Sequence, residues 1–163
     1  MIIMGIDPGL ATVGYGFVNQ AASQLEALDY GAVLTPAGTK TEYRLREIYL
    51  NIDQLIKEVR PHAVSIEKLY FNTNEKTAVN VCQARGVILL AATQNSVPVF
   101  EYTPLQIKQA VTGNGRAEKK QIMYMVTKLL NLKKEPRPDD TADALAAAVC
   151  HAFCSDSMLF GLK

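Results

Sequence analysis

The chain begins "MIIMGIDPG", and residues 2–7, "IIMGID", are apolar at both alternate positions, the pattern of a strand buried on two faces. Pro8-Gly9 turns the chain, and "VGYGFVNQ" and "QLEALDYGAVLT" follow as two further strands of a meander. From Thr41 the period changes: Leu45, Ile48, Ile52, Leu55 and Val59 recur at three- and four-residue steps, predicting an amphipathic helix that stops before Pro61. "AVSIE" is a second short apolar strand. After "KLYFNTN" a long helix is expected from about Glu75 to Asn95, with Thr73 or Asn74 as its cap. "VPVFEY" reads as a fifth strand. Short helices around Gly113-Asn114-Gly115 precede a last, strongly apolar helix that opens at "PDDTADALAAAVCH". The elements run βββαβαβα, with the short helices before the last. Helical crossovers make strands one, four and five mutually parallel. The expected fold is α/β: a five-stranded mixed sheet, three antiparallel strands and then parallel ones, with helices on both faces.

Composition narrows this only slightly. Residues 1–163 suit one domain that buries its own core, with 48% hydrophobic and 20% charged residues. No apolar run approaches the roughly 20 residues of a bilayer span. The N-terminus lacks a basic region and a cleavage-like site, so no secretory signal is expected. Cys82, Cys150 and Cys154 form neither a disulfide count nor a CxxC pair, which points to a reducing cytoplasm. Charge is informative in its distribution. Residues 104–138 carry Lys108, Arg116, Lys119, Lys120, Lys128, Lys133, Lys134 and Arg137 against Glu118 and Glu135, a local balance of +6 in a chain of net +1. Such a stretch is either a solvated helix face or a surface that meets phosphates.

The candidate chemistry is acidic. Asp7 closes the first strand and Glu67 the fourth, so parallel neighbours would bring both to the carboxyl edge, where open α/β sheets place ligands. Asp140 and Asp143 share a helical face with Ala144, Ala147 and Cys150 or His151, a face that reads as buried. Each acid also has an ordinary reading: Asp7 as a turn residue, Glu67 as a strand-end acid paired with Lys68, and one of Asp139 to Asp143 as a helix cap, Asp139 being the choice. Together they suggest more. Carboxylates gathered without His or Cys favour Mg²⁺ or Mn²⁺ over zinc. Two such ions about 4 Å apart serve phosphodiester hydrolysis. His62 and His151 read as structural, and Arg85 as structural or interfacial.

"MGIDPGLATVGYG", "SIEKLYF", "QARGV", "EYTPLQIKQAVTGNGRAEKKQ" and "DDTADALAAAVCH" occur in series from residue 1 to about 151, and in this order they resemble the RuvC family of Holliday-junction resolvases. The resemblance implies an RNase H-like nuclease domain and a homodimer that makes paired, Mg²⁺-dependent nicks in four-way junction DNA. It also implies 5′-phosphate ends and the branch-migration partners RuvA and RuvB. It assigns the catalytic and metal-binding acids to Asp7, Glu67, Asp140 and Asp143, with Asp139 as an extra neighbour. It places functional lysines at Lys108 and Lys119, and a junction-entering aromatic at Tyr70, with Phe71 beside it as the alternative. Arg116, next to the Gly-Asn-Gly turn, is a further candidate phosphate contact. Two rival readings are a non-catalytic junction binder of the same fold and a fragment of an ATPase of the actin, Hsp70 and sugar-kinase superfamily, whose phosphate loop also begins with a strand and an aspartate-glycine turn.

Overall fold

The computed structural model describes residues 1–21, 24–69 and 75–159. Strands β1 (Ile2–Asp7), β2 (Thr12–Ala21) and β3 (Gln24–Leu34) form the meander; α1 (Thr41–Val59), β4 (Ala63–Glu67), α2 (Glu75–Gln94) and β5 (Val99–Tyr102) follow. The chain then enters α3 (Pro104–Thr112), α4 (Lys119–Leu129) and α5 (Asp139–Leu159). The sheet order is β3-β2-β1-β4-β5, with β1 antiparallel to β2 and parallel to β4, and β4 parallel to β5. The expected mixed α/β sheet is therefore the observed one. The caps of α2 proposed at Thr73 or Asn74 lie outside the described residues.

Strand alternation divides the core. Met4, Ile6, Val13, Phe17, Val64 and Ile66 point to α1 and α2, where Ile48, Ile52, Ile56 and Ile88 meet them. Ile3 and Val18 point the other way, toward α3, α4 and α5. The same alternation puts Gly5, Gly14 and Gly16 under α5, and it carries Asp7, two residues past Gly5, and Glu67, two past Ser65, to that face. Between Phe17 and Val18 the β2–β3 register slips by one, leaving Leu28 as the extra residue. The bulge lets Leu25 and Ala27 pack on the α5 side while Val33 packs on the α1 side, which strict period two would forbid.

Helix α5 lies unusually close to the sheet. A Cβ at Gly5 would stand 1.9 Å from the carbonyl oxygen of Ala144, and one at Gly14 would stand 2.0 Å from that of Asp140. Only glycine permits such backbone approach. The helix answers with small residues: Ala144, Ala146, Ala147 and Ala148 are all buried, together with Leu145, Val149 and Cys150. Ser65 Oγ donates to the Ala147 carbonyl at 2.6 Å, Thr141 Oγ1 to that of Gly31 at 3.0 Å, and Gln20 Nε2 to that of Ala152 at 3.1 Å, fixing the helix along its length.

Helices α3 and α4 cover the other side of α5. A capping box between Thr103 and Gln106 starts α3, and Gly113, at φ 73°, ends it in the left-handed conformation. Gln121 Oε1 accepts from the Glu118 amide at 2.9 Å at the start of α4, whose first residue is Lys119. Both histidines are structural, as expected: His62 Nδ1 accepts from the Ile2 amide at 3.0 Å, and His151 Nδ1 lies 2.8 Å from the buried Tyr102 hydroxyl. Arg85 pairs with Glu101, tying α2 to β5.

Gly5→Ala forces Ala144 and the helix carrying it off the sheet. Urea unfolding should report a loss on the order of 3 kcal/mol, the upper range for overpacking. An equal loss for Gly38→Ala, where a Cβ meets nothing within 4 Å, would deny that close packing is the cause.

Candidate active site

The four acids come from two directions. Ile6 pairs with Ile66 across the parallel β1–β4 ladder, so Asp7 and Glu67 leave neighbouring strands at the same carboxyl edge and on the same face. Asp7 is also registered opposite Gly14, and the Asp140 carbonyl rests on Gly14. The seat of α5 on the glycines therefore brings Asp140 over the end of β1, and Asp143 follows one turn later. The anticipated buried face is real from Ala144 onward, whereas Asp139, Asp140 and Asp143 are half-buried where the helix reaches the sheet edge.

The acids act on one another electrostatically. Burial, with the charges of Asp143, Asp140 and Glu67, pushes the Asp7 carboxyl up to about 7; Lys119 opposes this. Burial and Asp143 also raise Glu67, against Lys108. The cation acting on Glu67 is therefore Lys108, not the adjacent Lys68 of the simpler reading. Lys119 Nζ reaches Asp143 Oδ2 at 3.0 Å and Asp139 Oδ2 at 3.6 Å. Burial pulls the Lys119 ammonium down, but its hydrogen bond to Asp143 and the charges of Asp143, Asp139 and Asp140 outweigh this, so its pKa is raised.

Asp139 corrects one expectation. It is the first residue of α5, and its Oδ1 accepts from Arg137 Nη1 at 2.7 Å while Lys119 approaches the other oxygen. It therefore lies inside the helix and not at the cap position, and its carboxylate faces two cations. Lys108 and Lys119 are thus brought to the acids. Arg116 is exposed in the turn before α4, its amide donating to Asn114 Oδ1 at 3.0 Å, and the cations acting on Asp7 and Glu67 are Lys119 and Lys108 instead. Tyr70 and Phe71 lie outside the described residues.

The donor set suits a hard divalent cation. It is all oxygen, it is crowded enough to hold one carboxyl partly protonated near neutrality, and a cation relieves both burial and repulsion. Among the described residues no three His, Cys, Asp or Glu side chains already close into a metal cage. The acids share a field rather than a formed coordination shell.

Sequence reasoning missed the supports. Thr35 is buried after β3; its Oγ1 donates to the Leu10 carbonyl and its amide to that of Ala11 at 3.0 Å. Arg44 of α1 donates from Nε to Thr35 Oγ1 at 2.8 Å. This clamp holds the turn that leaves Asp7. No composition or spacing singles out Thr35, whereas the alternate glycines of "VGYG" were a readable sign of close backbone approach.

A mixed sheet whose carboxyl edge and covering helix present clustered acids beside lysines defines an RNase H-like nuclease. The profile of the family described as "Crossover junction endodeoxyribonuclease RuvC" matches residues 3–151. A relative of that description from Alkaliphilus metalliredigens is 57% identical over 152 residues, covering 93% of each chain. Among solved structures, Thermus thermophilus RuvC superposes with a TM-score of 0.89 at 36% identity over 97% of each chain. The same protein in complex with a Holliday junction substrate gives 0.90 at 37% identity, covering 95% of this chain and 94% of that one. The chain belongs to the RuvC family of crossover junction endodeoxyribonucleases.

Two outcomes follow from the site. The Asp7 carboxyl binds its proton more tightly folded than unfolded, so the metal-free protein should lose stability as pH rises from about 4 to 7. Asp7→Asn should flatten that slope and stabilise the protein at pH 8 by on the order of 2–4 kcal/mol in urea unfolding with EDTA. An unchanged pH slope in the variant would place the strain elsewhere. Thr35→Val should slow junction cutting by roughly 10–100-fold through misplacement of Asp7, while metal-free binding holds and Thr35→Ser restores the rate. Equal losses in the Ser and Val variants would remove the hydroxyl clamp from the account.

Proposed function

We propose that this chain, acting as one nuclease domain, resolves four-way DNA junctions by paired, metal-dependent phosphodiester hydrolysis that leaves ligatable 5′-phosphate nicks. The observation that carries the proposal is the convergence of Asp7, Glu67, Asp140 and Asp143 with Lys108 and Lys119 at one sheet edge. All four acid positions are filled, which favours catalysis over a purely binding role. The Thermus relative bound to a Holliday junction substrate supplies the substrate class.

Asp7, Glu67, Asp140 and Asp143 would hold two Mg²⁺ ions, or Mn²⁺ in their place. When bound, these ions supply charge neutralisation at the phosphate and an activated water. The strands fix the backbone of Asp7 and Glu67, and the seated start of α5 fixes that of the other two. Lys119 leaves Asp143 to stand beside the departing oxygen, whose developing charge it offsets. Lys108, held near Glu67, grips a neighbouring phosphate. Arg116 extends the grip at the turn, and Tyr70 or Phe71, which follow β4 in sequence, would wedge the opened crossover.

A two-fold junction calls for two equivalent sites, hence a homodimer. Helix α2 has the surface for it: Val79 is 57% and Leu90 49% exposed, and Gly86 between them has open space above its Cα. Exposed apolar side chains on one helix face suit a subunit contact. RuvA and RuvB would deliver the junction, and the cytoplasm is where the protein would work. Among the described residues no helix is long and apolar enough to cross a membrane.

Cutting of a synthetic four-way junction on a denaturing gel tests the reading. Paired nicks should need Mg²⁺, vanish with EDTA, spare linear duplex and vanish in Asp7→Asn, while the variant still binds the junction in EDTA. A variant that cuts would remove Asp7 from the mechanism, and cutting of linear duplex would remove the junction as the target.

A further inference from the structure

Helix α4 carries Lys119 to the acids from its first position, yet a different face of the same helix looks outward. Lys120, Tyr124 and Lys128 recur at four-residue spacing and are all exposed, Tyr124 at 55%. Lys128 Nζ lies 5.6 Å from the centroid of the Tyr124 ring, within cation–π range. The inward face, Ile122, Met123 and Val126, is buried, so the exposed stripe is not required for the core. Beside Tyr124 a cleft of about 370 Å³ opens between the end of α3 and α4, with Thr112, Asn114, Lys120 and Gln121 on its walls. Glu118, the acid nearest in sequence, is the N-cap residue of the helix, where its amide donates to Gln121 Oε1 at 2.9 Å.

The exposed stripe adds little to the core, and its aromatic costs solubility. It suits a polyanion with an apolar component. The axial distance from Lys120 to Lys128 is ~12 Å, the rise of about three to four nucleotides of one strand. A single phosphate would need only one of the lysines, whereas a continuous backbone engages both and lays a sugar across the tyrosine. Because α4 starts at the acids and runs away from them, such a backbone belongs to DNA beyond the scissile position.

We propose that the outward face of α4, Lys120–Tyr124–Lys128, is a track for the sugar-phosphate backbone of a duplex arm of the junction, separate from the catalytic lysine on the same helix. This rests on the junction reading above and names a surface which that reading leaves unassigned. The stripe contacts backbone and not base edges, so it adds affinity without sequence preference.

The test measures junction affinity against salt in EDTA, by fluorescence anisotropy of a labelled synthetic four-way junction, with the full chain. Removing two phosphate contacts should lower the log–log salt slope by about two. Lys120→Gln/Lys128→Gln should show that drop on junctions of different sequence. Tyr124→Ala should weaken binding with the slope retained. Lys57→Gln/Arg60→Gln, which removes the same charge from the end of α1 on the other sheet face, should leave the slope alone. An unchanged slope in the α4 pair overturns the track, and so does an equal drop in the α1 pair, which would indicate net charge alone. Failure of the unaltered protein to bind the junction would instead overturn the junction reading itself.

Discussion

The structure depends on one contact, the backbone of α5 lying against the bare floor of β1 and β2. Gly5 and Gly14 remove the only atoms that would hold Ala144 and Asp140 away. Gly14 is also the residue opposite Asp7 in the sheet, so the helix seat and the meeting of the acids are one geometric fact. A helix packed at an ordinary distance from the sheet would bury its alanines poorly and would place Asp140 and Asp143 too far from the strand ends. Close packing of small residues thus provides both the stability of the last helix and the placement of its first turn.

That placement opposes the protein's own electrostatics. Burial and neighbouring acids that raise the pKa of Asp7 and Glu67 destabilise the folded state, and Asp7 bears most of the strain. The burial of α5 between sheet and helices is extensive enough to hold them there, with the Ser65, Thr141 and Gln20 hydrogen bonds preventing the helix from sliding. Lys119 moderates the charge without cancelling it, since one ammonium faces several acids and is itself 54% exposed. Such a site gives up stability to keep an affinity for cations, a trade usual where function needs a locally unfavourable arrangement.

Much of this was legible in the sequence, for definite reasons. "IIMGID" and "AVSIE" end in acids after apolar runs, so strand parity and parallel pairing predicted that Asp7 and Glu67 would share an edge. The alanine-rich helix after "DDTAD" predicted the buried face. Thr35 and Arg44 were not legible, because a buried hydroxyl clamping a turn depends on two segments meeting that no local pattern links. Asp139 was misread because its partners, Arg137 and Lys119, offer charges that a cap argument built on backbone amides does not weigh. The β2–β3 bulge was hidden for another reason: one extra residue alters strand parity without altering composition.

Helix α5 is also the common reference for the helices packed over it. Val126 and Ile122 bury α4 in the cluster built around Leu145 and Val149, while Ile107 and Val111 do the same for α3. Lys108 and Lys119 are therefore positioned relative to the same helix that carries Asp140 and Asp143. A shift of α5 along the sheet would move acids and lysines together, preserving their mutual distances while changing their relation to Asp7 and Glu67. Relative displacement is then concentrated between the strand pair of acids and the helix pair, across the glycine floor. This explains why the floor, and not the cations, is where the fold permits least variation in shape: an added methyl group there separates the two halves of the site, whereas a change on the outer face of α4 leaves both halves in place.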